Sequence, residues 1–174
     1  MIVTLIGYRG SGKSTVAREL SSRLGWEWID ADALIEEAAG RSIREIFATD
    51  GEPAFRRLER QTLASLTMRE NLVVAAGGGA VLDADTRREI KTAGPVVWLQ
   101  ASVGVLETRI NADPATAARR PNLAGGGTAE ITRLLAEREP LYRECASHTI
   151  FTDKLSVAEI AERIAIAIGP RVAG

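Results

Sequence analysis

Short apolar strands alternating with amphipathic helical stretches predict an α/β layered domain with about five parallel strands. Two observations carry this reading. Residues 2–6, 27–29, 72–76, 96–99 and 149–151 are short and mostly apolar, as strands covered on both faces of a parallel sheet must be. The first of them runs straight into Gly7-Tyr8-Arg9-Gly10-Ser11-Gly12-Lys13-Ser14, and a helical pattern over 13–24 follows. Strand, glycine-rich turn and helix in that order form the opening unit of such a domain. The chain has 174 residues, enough for one domain spanning 1–174 with an ordinary core.

The remaining elements follow from caps and breakers. Ser42 and Glu45 form a capping box that opens a helix to about residue 50, where Gly51 breaks it. Residues 52–68 are amphipathic, with Phe55, Leu58, Leu63 and Leu66 among the apolar positions. Asp83 caps a helix to residue 93, stopped by Gly94-Pro95. Ser156 and Glu159 form a second capping box for the last helix, to residue 168. Residues 111–127 break the alternation. They hold Asp113-Pro114, Arg119-Arg120-Pro121 and Gly125-Gly126-Gly127, a polar, basic and glycine-rich stretch. A loop this long in a compact domain is disordered or functional, and beside a nucleotide the functional form is a lid.

Composition narrows the function classes. The net charge is −1, so there is no overall basic field for nucleic acid. Cys145 is the only cysteine, which leaves no internal disulfide. No apolar run approaches the length of a membrane span, and the first strand meets the glycine loop too soon for a signal peptide. The expected location is the cytoplasm.

The glycine loop fits G-x-x-x-x-G-K-[ST], a phosphate-binding loop. Its glycines let backbone N–H groups approach phosphate oxygens, and the helix dipole reinforces them. Lys13 brings a point charge to the outer phosphates, and Ser14 offers a hydroxyl to Mg²⁺. Gly10, Ser11, Gly12, Lys13, Ser14 and Thr15 are therefore the expected nucleotide-binding residues, with ATP or GTP and Mg²⁺ as ligands. Asp30-Ala31-Asp32 closes the second strand. One carboxylate would assist Mg²⁺ through water and the other would orient an acceptor hydroxyl, while either would also serve as a helix cap. Gly77-Gly78-Gly79 leaves the third strand with bare backbone, for a positive-φ turn or for a close approach. Arg56, Arg57 and Arg143 could fork onto carboxylate or phosphate, but an arginine alone does not declare which.

Taken together, these segments resemble the shikimate kinases over most of the chain. The resemblance rests on Gly7–Ser14, Asp30-Ala31-Asp32, Gly40-Arg41-Ser42-Ile43 with Ile46-Phe47, and Gly51-Glu52 with Phe55-Arg56-Arg57-Leu58-Glu59. It continues through Gly77-Gly78-Gly79-Ala80-Val81, Arg120-Pro121 and Pro140-Leu141-Tyr142-Arg143. It implies a three-layer α/β/α fold like that of nucleoside monophosphate kinases, with strand order 2-3-1-4-5 and a lid at about 111–127. It implies transfer of the γ-phosphate of ATP to the 3-hydroxyl of shikimate, in a monomer. The substrate segment would span about 31–60. By the same resemblance Asp32 contacts the reacting hydroxyl, and Arg56 and Arg143 bind the shikimate carboxylate. The triple glycine, Gly77 included, meets the ring hydroxyls, and Phe47 and Phe55 line the ring pocket. Arg120 descends with the lid onto the transferring phosphate, Arg109 stacks on adenine, and Asp30 helps hold Mg²⁺ through water.

The lid reads Arg120-Pro121-Asn122-Leu123 where many family members have R-P-L-L, and Arg119 sits beside Arg120. The lone histidine, His148, matches no family catalytic position and is expected to be structural. A gluconate kinase on the same fold builds its acceptor site differently. A non-catalytic nucleotide-binding module usually lacks one of Lys13, the acceptor-side aspartate or the lid arginine.

Overall fold

The structure, a computed structural model, describes residues 1–113 and 127–169. Five parallel strands form one sheet in the order β2-β3-β1-β4-β5: β1 (Ile2–Ile6), β2 (Glu27–Asp30), β3 (Leu72–Ala75), β4 (Val96–Gln100) and β5 (His148–Phe151). β1 lies at the centre, with Ile2 opposite Leu72 and Thr4 opposite Val96. All four pairings are parallel, so every connection crosses a face through a helix.

The two-residue period of the strands divides the core. Ile2, Ile6, Leu72, Val74, Val96 and Trp98 face one side, where they pack against α4 (Glu52–Leu66), α5 (Ala84–Ala93) and α7 (Gly127–Cys145). Val3, Leu5, Val73, Ala75, Val97 and Leu99 face the other, against α1 (Lys13–Leu24) and α8 (Val157–Ile168). A third cluster seats Tyr8 between α6 (Val103–Ala112) and α7. A fourth joins α2 (Ala31–Ala39), α3 (Ile43–Asp50) and α4 through Ile35, Ile43, Ile46 and Phe55.

Strand order, caps and helices agree with the sequence reading, with small shifts of boundary. β2 reaches Asp30, β3 ends at Ala75, β4 reaches Gln100 and β5 starts at His148. α4 stops at Leu66 because Thr67 caps it, its N–H donating to the Leu63 carbonyl. Both capping boxes are formed, at Ser42/Glu45 and Ser156/Glu159. The sequence pattern sets no bounds for α2, α6 and α7. α6 carries Gly104 and α7 contains Pro140, residues that obscure a helical pattern. Pro140 costs α7 one backbone hydrogen bond, at the carbonyl of Ala136, and both residues are exposed so water can serve that carbonyl. Most of the expected lid, with Arg119, Arg120, Pro121 and Asn122, lies outside the described residues.

Candidate active site

The loops that leave the carboxyl ends of β1, β2 and β3 converge, as ligand-binding loops do in open parallel sheets. They enclose a cleft of about 410 Å³ lined by Gly10 to Thr15, Asp30, Asp32, Gly77, Gly78 and Arg109, among others. Gly12 opens α1 at φ 92°, a left-handed conformation that suits glycine, and no side chain caps the helix. The first N–H groups of α1 are thus directed at the cleft mouth, a ready anion site. Lys13 is folded back over its own loop: its Nζ donates to the carbonyls of Gly7 (2.8 Å) and Tyr8 (2.9 Å). The ammonium therefore holds the loop closed from within while lining the cleft.

Asp30 has two roles at once. Its Oδ1 accepts the N–H groups of Asp32 (3.0 Å) and Ala33 (3.2 Å), capping α2. Its Oδ2 accepts the hydroxyl of Ser14 at 2.5 Å, sixteen residues away in sequence. Capping thus falls to Asp30, and Asp32 stands in the first turn of α2, half-buried on the cleft wall. The Ser14–Asp30 pair suits a hard cation that keeps most of its ligands as water and phosphate oxygens. No group of three or more His, Cys, Asp or Glu side chains able to hold a metal occurs among the described residues.

The triple glycine is buried, and none of its three residues has a positive φ. Close approach is the reason for the bare backbone. A Cβ on Gly79 would stand 2.7 Å from Arg56 Cζ, and a Cβ on Gly78 would meet Arg138 Nη1 at 3.6 Å. Two guanidinium groups therefore lie against consecutive glycines, of which Gly78 lines the cleft; neither arginine is itself a lining residue. Arg56 is held by Glu52 (2.9 Å) and by the buried Glu59 (2.6 Å). Arg138 is 6% exposed, has no ion pair among the described residues, and its Nε has no hydrogen-bond partner there. It lies over the ring of Tyr8, 5.8 Å from the centroid. Burial pushes the Tyr8 phenol above its ordinary value, and Arg9 and Arg138 oppose that shift. Arg9 pairs at 3.6 Å with Glu130, itself buried.

Five expected site residues, Phe47, Phe55, Arg56, Gly79 and Arg143, are not among the residues that line the cleft. Arg143 projects from α7 with its side chain 72% exposed, paired to Glu139. It is five positions from Arg138, about 140° around the helix, so the two side chains leave α7 on different faces. Arg138, and not Arg143, lies beside Gly78. Phe55 is fully buried and Phe47 half-buried, their rings 4.9 Å apart in the α2–α4 core, and neither is among the cleft-lining residues. Phe55 supports Arg56 instead, whose Cζ lies 5.3 Å from its ring centroid. Arg109 does line the cleft, its guanidinium donating to Oγ1 (3.2 Å) and the carbonyl (3.3 Å) of Thr152. A helical reading of α7 through Pro140 would have picked out Arg138, four residues before the buried Tyr142 and so on the same face. His148, half-buried on an edge strand, lies outside the cleft lining.

Comparison with known proteins gives this geometry a family. The family model described as Shikimate kinase matches residues 9–168. The shikimate kinase of Syntrophus aciditrophicus (strain SB) is 42% identical over 171 residues, covering 93% of this chain and 88% of that protein. The structure of shikimate kinase from Acinetobacter baumannii in complex with shikimate superposes with a TM-score of 0.88 at 37% identity, covering 94% of this chain and 89% of that one. A gluconokinase from Sinorhizobium meliloti 1021 shares the fold alone, with a TM-score of 0.60 at 17% identity, covering 95% of this chain and 90% of that one. A family model matched over residues 9–168 and relatives alike along nearly the whole length leave one reading: the chain belongs to the shikimate kinase family.

Proposed function

We propose that this chain transfers the γ-phosphate of ATP to the 3-hydroxyl of shikimate, giving shikimate 3-phosphate and ADP. One observation carries the acceptor assignment. The buried Arg138 has no carboxylate partner among the described residues, and it lies beside the bare Gly78 at the end of a phosphate-loop cleft. A buried guanidinium without an anion is costly, and a substrate carboxylate is the partner that would relieve it. Shikimate has one carboxylate for Arg138 and Arg56 and several hydroxyls for backbone donors. The N–H groups of Gly78 and Gly79 have no partner among the described residues, which leaves them for ring hydroxyls.

The chemistry is positioning and charge neutralisation. The N–H groups at the start of α1 and the adjoining loop hold the phosphates. Lys13 exchanges loop carbonyls for phosphate oxygens as ATP enters. Asp32 orients the acceptor hydroxyl in line with the γ-phosphate and accepts its proton. Ser14 and Asp30 would hold Mg²⁺, which would neutralise charge on the outer phosphates. Arg109, pinned by Thr152, is placed to stack on adenine. In this reading Arg120 supplies the lid charge, on the strength of the resemblance alone. The protein acts as a cytoplasmic monomer with ATP and shikimate as its small-molecule partners. No described helix is long and apolar enough to cross a membrane.

The deciding experiment is steady-state ADP release with Mg-ATP and, in turn, shikimate, gluconate, quinate and AMP. Turnover with shikimate and not with the other three supports the reading. Tight ATP binding without turnover on shikimate would leave the phosphate loop and remove the substrate.

A further inference from the structure

Tyr142 is a fully buried side chain with a polar tip, and that tip reaches the triple glycine. Its hydroxyl donates to the Gly78 carbonyl at 2.5 Å, across 64 positions of sequence. Its ring stacks on Trp98, with centroids 5.7 Å apart and planes 27° apart. The Gly78 carbonyl and the Gly79 N–H belong to one peptide plane. No described peptide bond is cis, so those two groups point in opposite directions. Tyr142 is inside the core, while Gly77 and Gly78 line the cleft. Holding the carbonyl toward Tyr142 therefore turns the Gly79 N–H away from Tyr142. Glycines leave such a plane free to rotate, and no other hydrogen bond to the Gly78 carbonyl is formed among the described residues. A carbonyl that accepts a strong hydrogen bond also makes the N–H of its own peptide a better donor.

We propose that Tyr142 is a positioning residue for the acceptor: its hydroxyl sets the Gly78–Gly79 peptide plane so that the Gly79 N–H meets a ring hydroxyl of the substrate. This rests on the reading of the glycine turn as the hydroxyl site. Arg138 lies one turn earlier on the same helix face, so α7 controls both the carboxylate grip and the peptide donor.

The test is Tyr142→Phe, which keeps the ring and removes the donor. KM for shikimate should rise about tenfold while KM for ATP stays within about twofold. The same measurement with shikimate analogues each lacking one ring hydroxyl other than the 3-hydroxyl acceptor should abolish the difference between variant and wild type for one analogue only. An equal change in both Michaelis constants, or an equal loss on every analogue, would overturn the positioning role. If wild type itself used all the deoxy analogues as well as shikimate, the hydroxyl-site reading would fail first, whatever Tyr142 does. Trp98→Phe disturbs the same packing without removing the hydroxyl and should show no shikimate-selective change; the same selective change there would also overturn the proposal. Should Tyr142→Phe fail to fold, 3-fluorotyrosine at position 142 provides a stronger donor of the same shape. A lower KM for shikimate supports the role, and an unchanged one refutes it.

Discussion

The guanidinium of Arg56 fills the space that a side chain on Gly79 would need, with Cζ 2.7 Å from the position of a Cβ. The glycine is bare because the arginine is there. Gly79→Ala should therefore displace the tip of a flexible side chain rather than the fold. Thermal stability should fall by about 1–3 kcal/mol, because Arg56 moves off the buried Glu59, and KM for shikimate should rise about tenfold or more while KM for ATP stays put. Melting curves and steady-state kinetics on the same preparation would show the split.

Arg138 and Arg143 give a direct contrast. Arg138→Met should raise KM for shikimate by roughly 10- to 150-fold, the worth of about 1.5–3 kcal/mol for a hydrogen bond to a charged group. The same variant should melt higher than wild type without ligand, because it removes a buried charge that has no ion pair among the described residues. Arg143→Met, at an exposed i,i+4 pair, should change kinetics and stability little. Equal losses in the two variants would return the carboxylate grip to Arg143.

Asp30 caps α2 and accepts the Ser14 hydroxyl, so Asp30→Ala should have two separable costs. Loss of the α2 cap should lower stability by about 0.5–2 kcal/mol without nucleotide. The Mg²⁺ concentration for half-maximal turnover should rise as well, because Ser14 loses its 2.5 Å partner. A magnesium titration at fixed ATP separates the second effect from the first.

Asp32 lines the cleft without serving as the cap. Asp32→Asn should leave ATP affinity within about twofold and lower kcat by about 100-fold or more, as expected when an acceptor-orienting base is lost. Nucleotide titration by calorimetry beside single-turnover kinetics checks both halves. Unaltered turnover would remove Asp32 from the mechanism.

Burial pushes the Cys145 thiol up to about 11 from an ordinary value of 9.0. At neutral pH it should resist alkylation in the folded protein and react readily in denaturant. The raised value also fixes a sign. An acid kept neutral in the fold adds stability below the unfolded value and loses it as pH rises. Stability should thus fall between pH 9 and about 11, and Cys145→Ala should weaken that slope. Melting temperatures across this range for both proteins provide the check.

Local chemistry made much of this molecule legible in the sequence. The phosphate loop is a contiguous run whose glycines, lysine and serine act through the backbone that joins them, so the motif and its flanking strand and helix are enough to place it. The capping boxes at Ser42 and Ser156 are equally local, and both are formed. The mostly apolar strands announced a sheet covered on both faces, which holds for β1, β3 and β4, while β2 and β5 are partly exposed edges. The order β2-β3-β1-β4-β5 came from the resemblance to a family, not from periodicity, and the structure has the same order.

Only the tertiary structure decided which distant groups meet. Arg138 and Arg143 are both arginines of one helix, and their surroundings part because five residues rotate a side chain by about 140°, one onto Gly78 and one into water. Pro140 between them hid the helix that sets this rotation. Three consecutive glycines permit either a strained turn or a close approach, and the sequence alone does not choose. The fold chose approach, by bringing Arg56 from α4 and Arg138 with Tyr142 from α7 onto the same two residues. By itself, then, the sequence determined the phosphate loop, the caps and the layered class, because those depend on neighbours along the chain. The acceptor site was left to the tertiary structure, because its contacts join residues tens of positions apart and exist only once the helices have packed on the sheet.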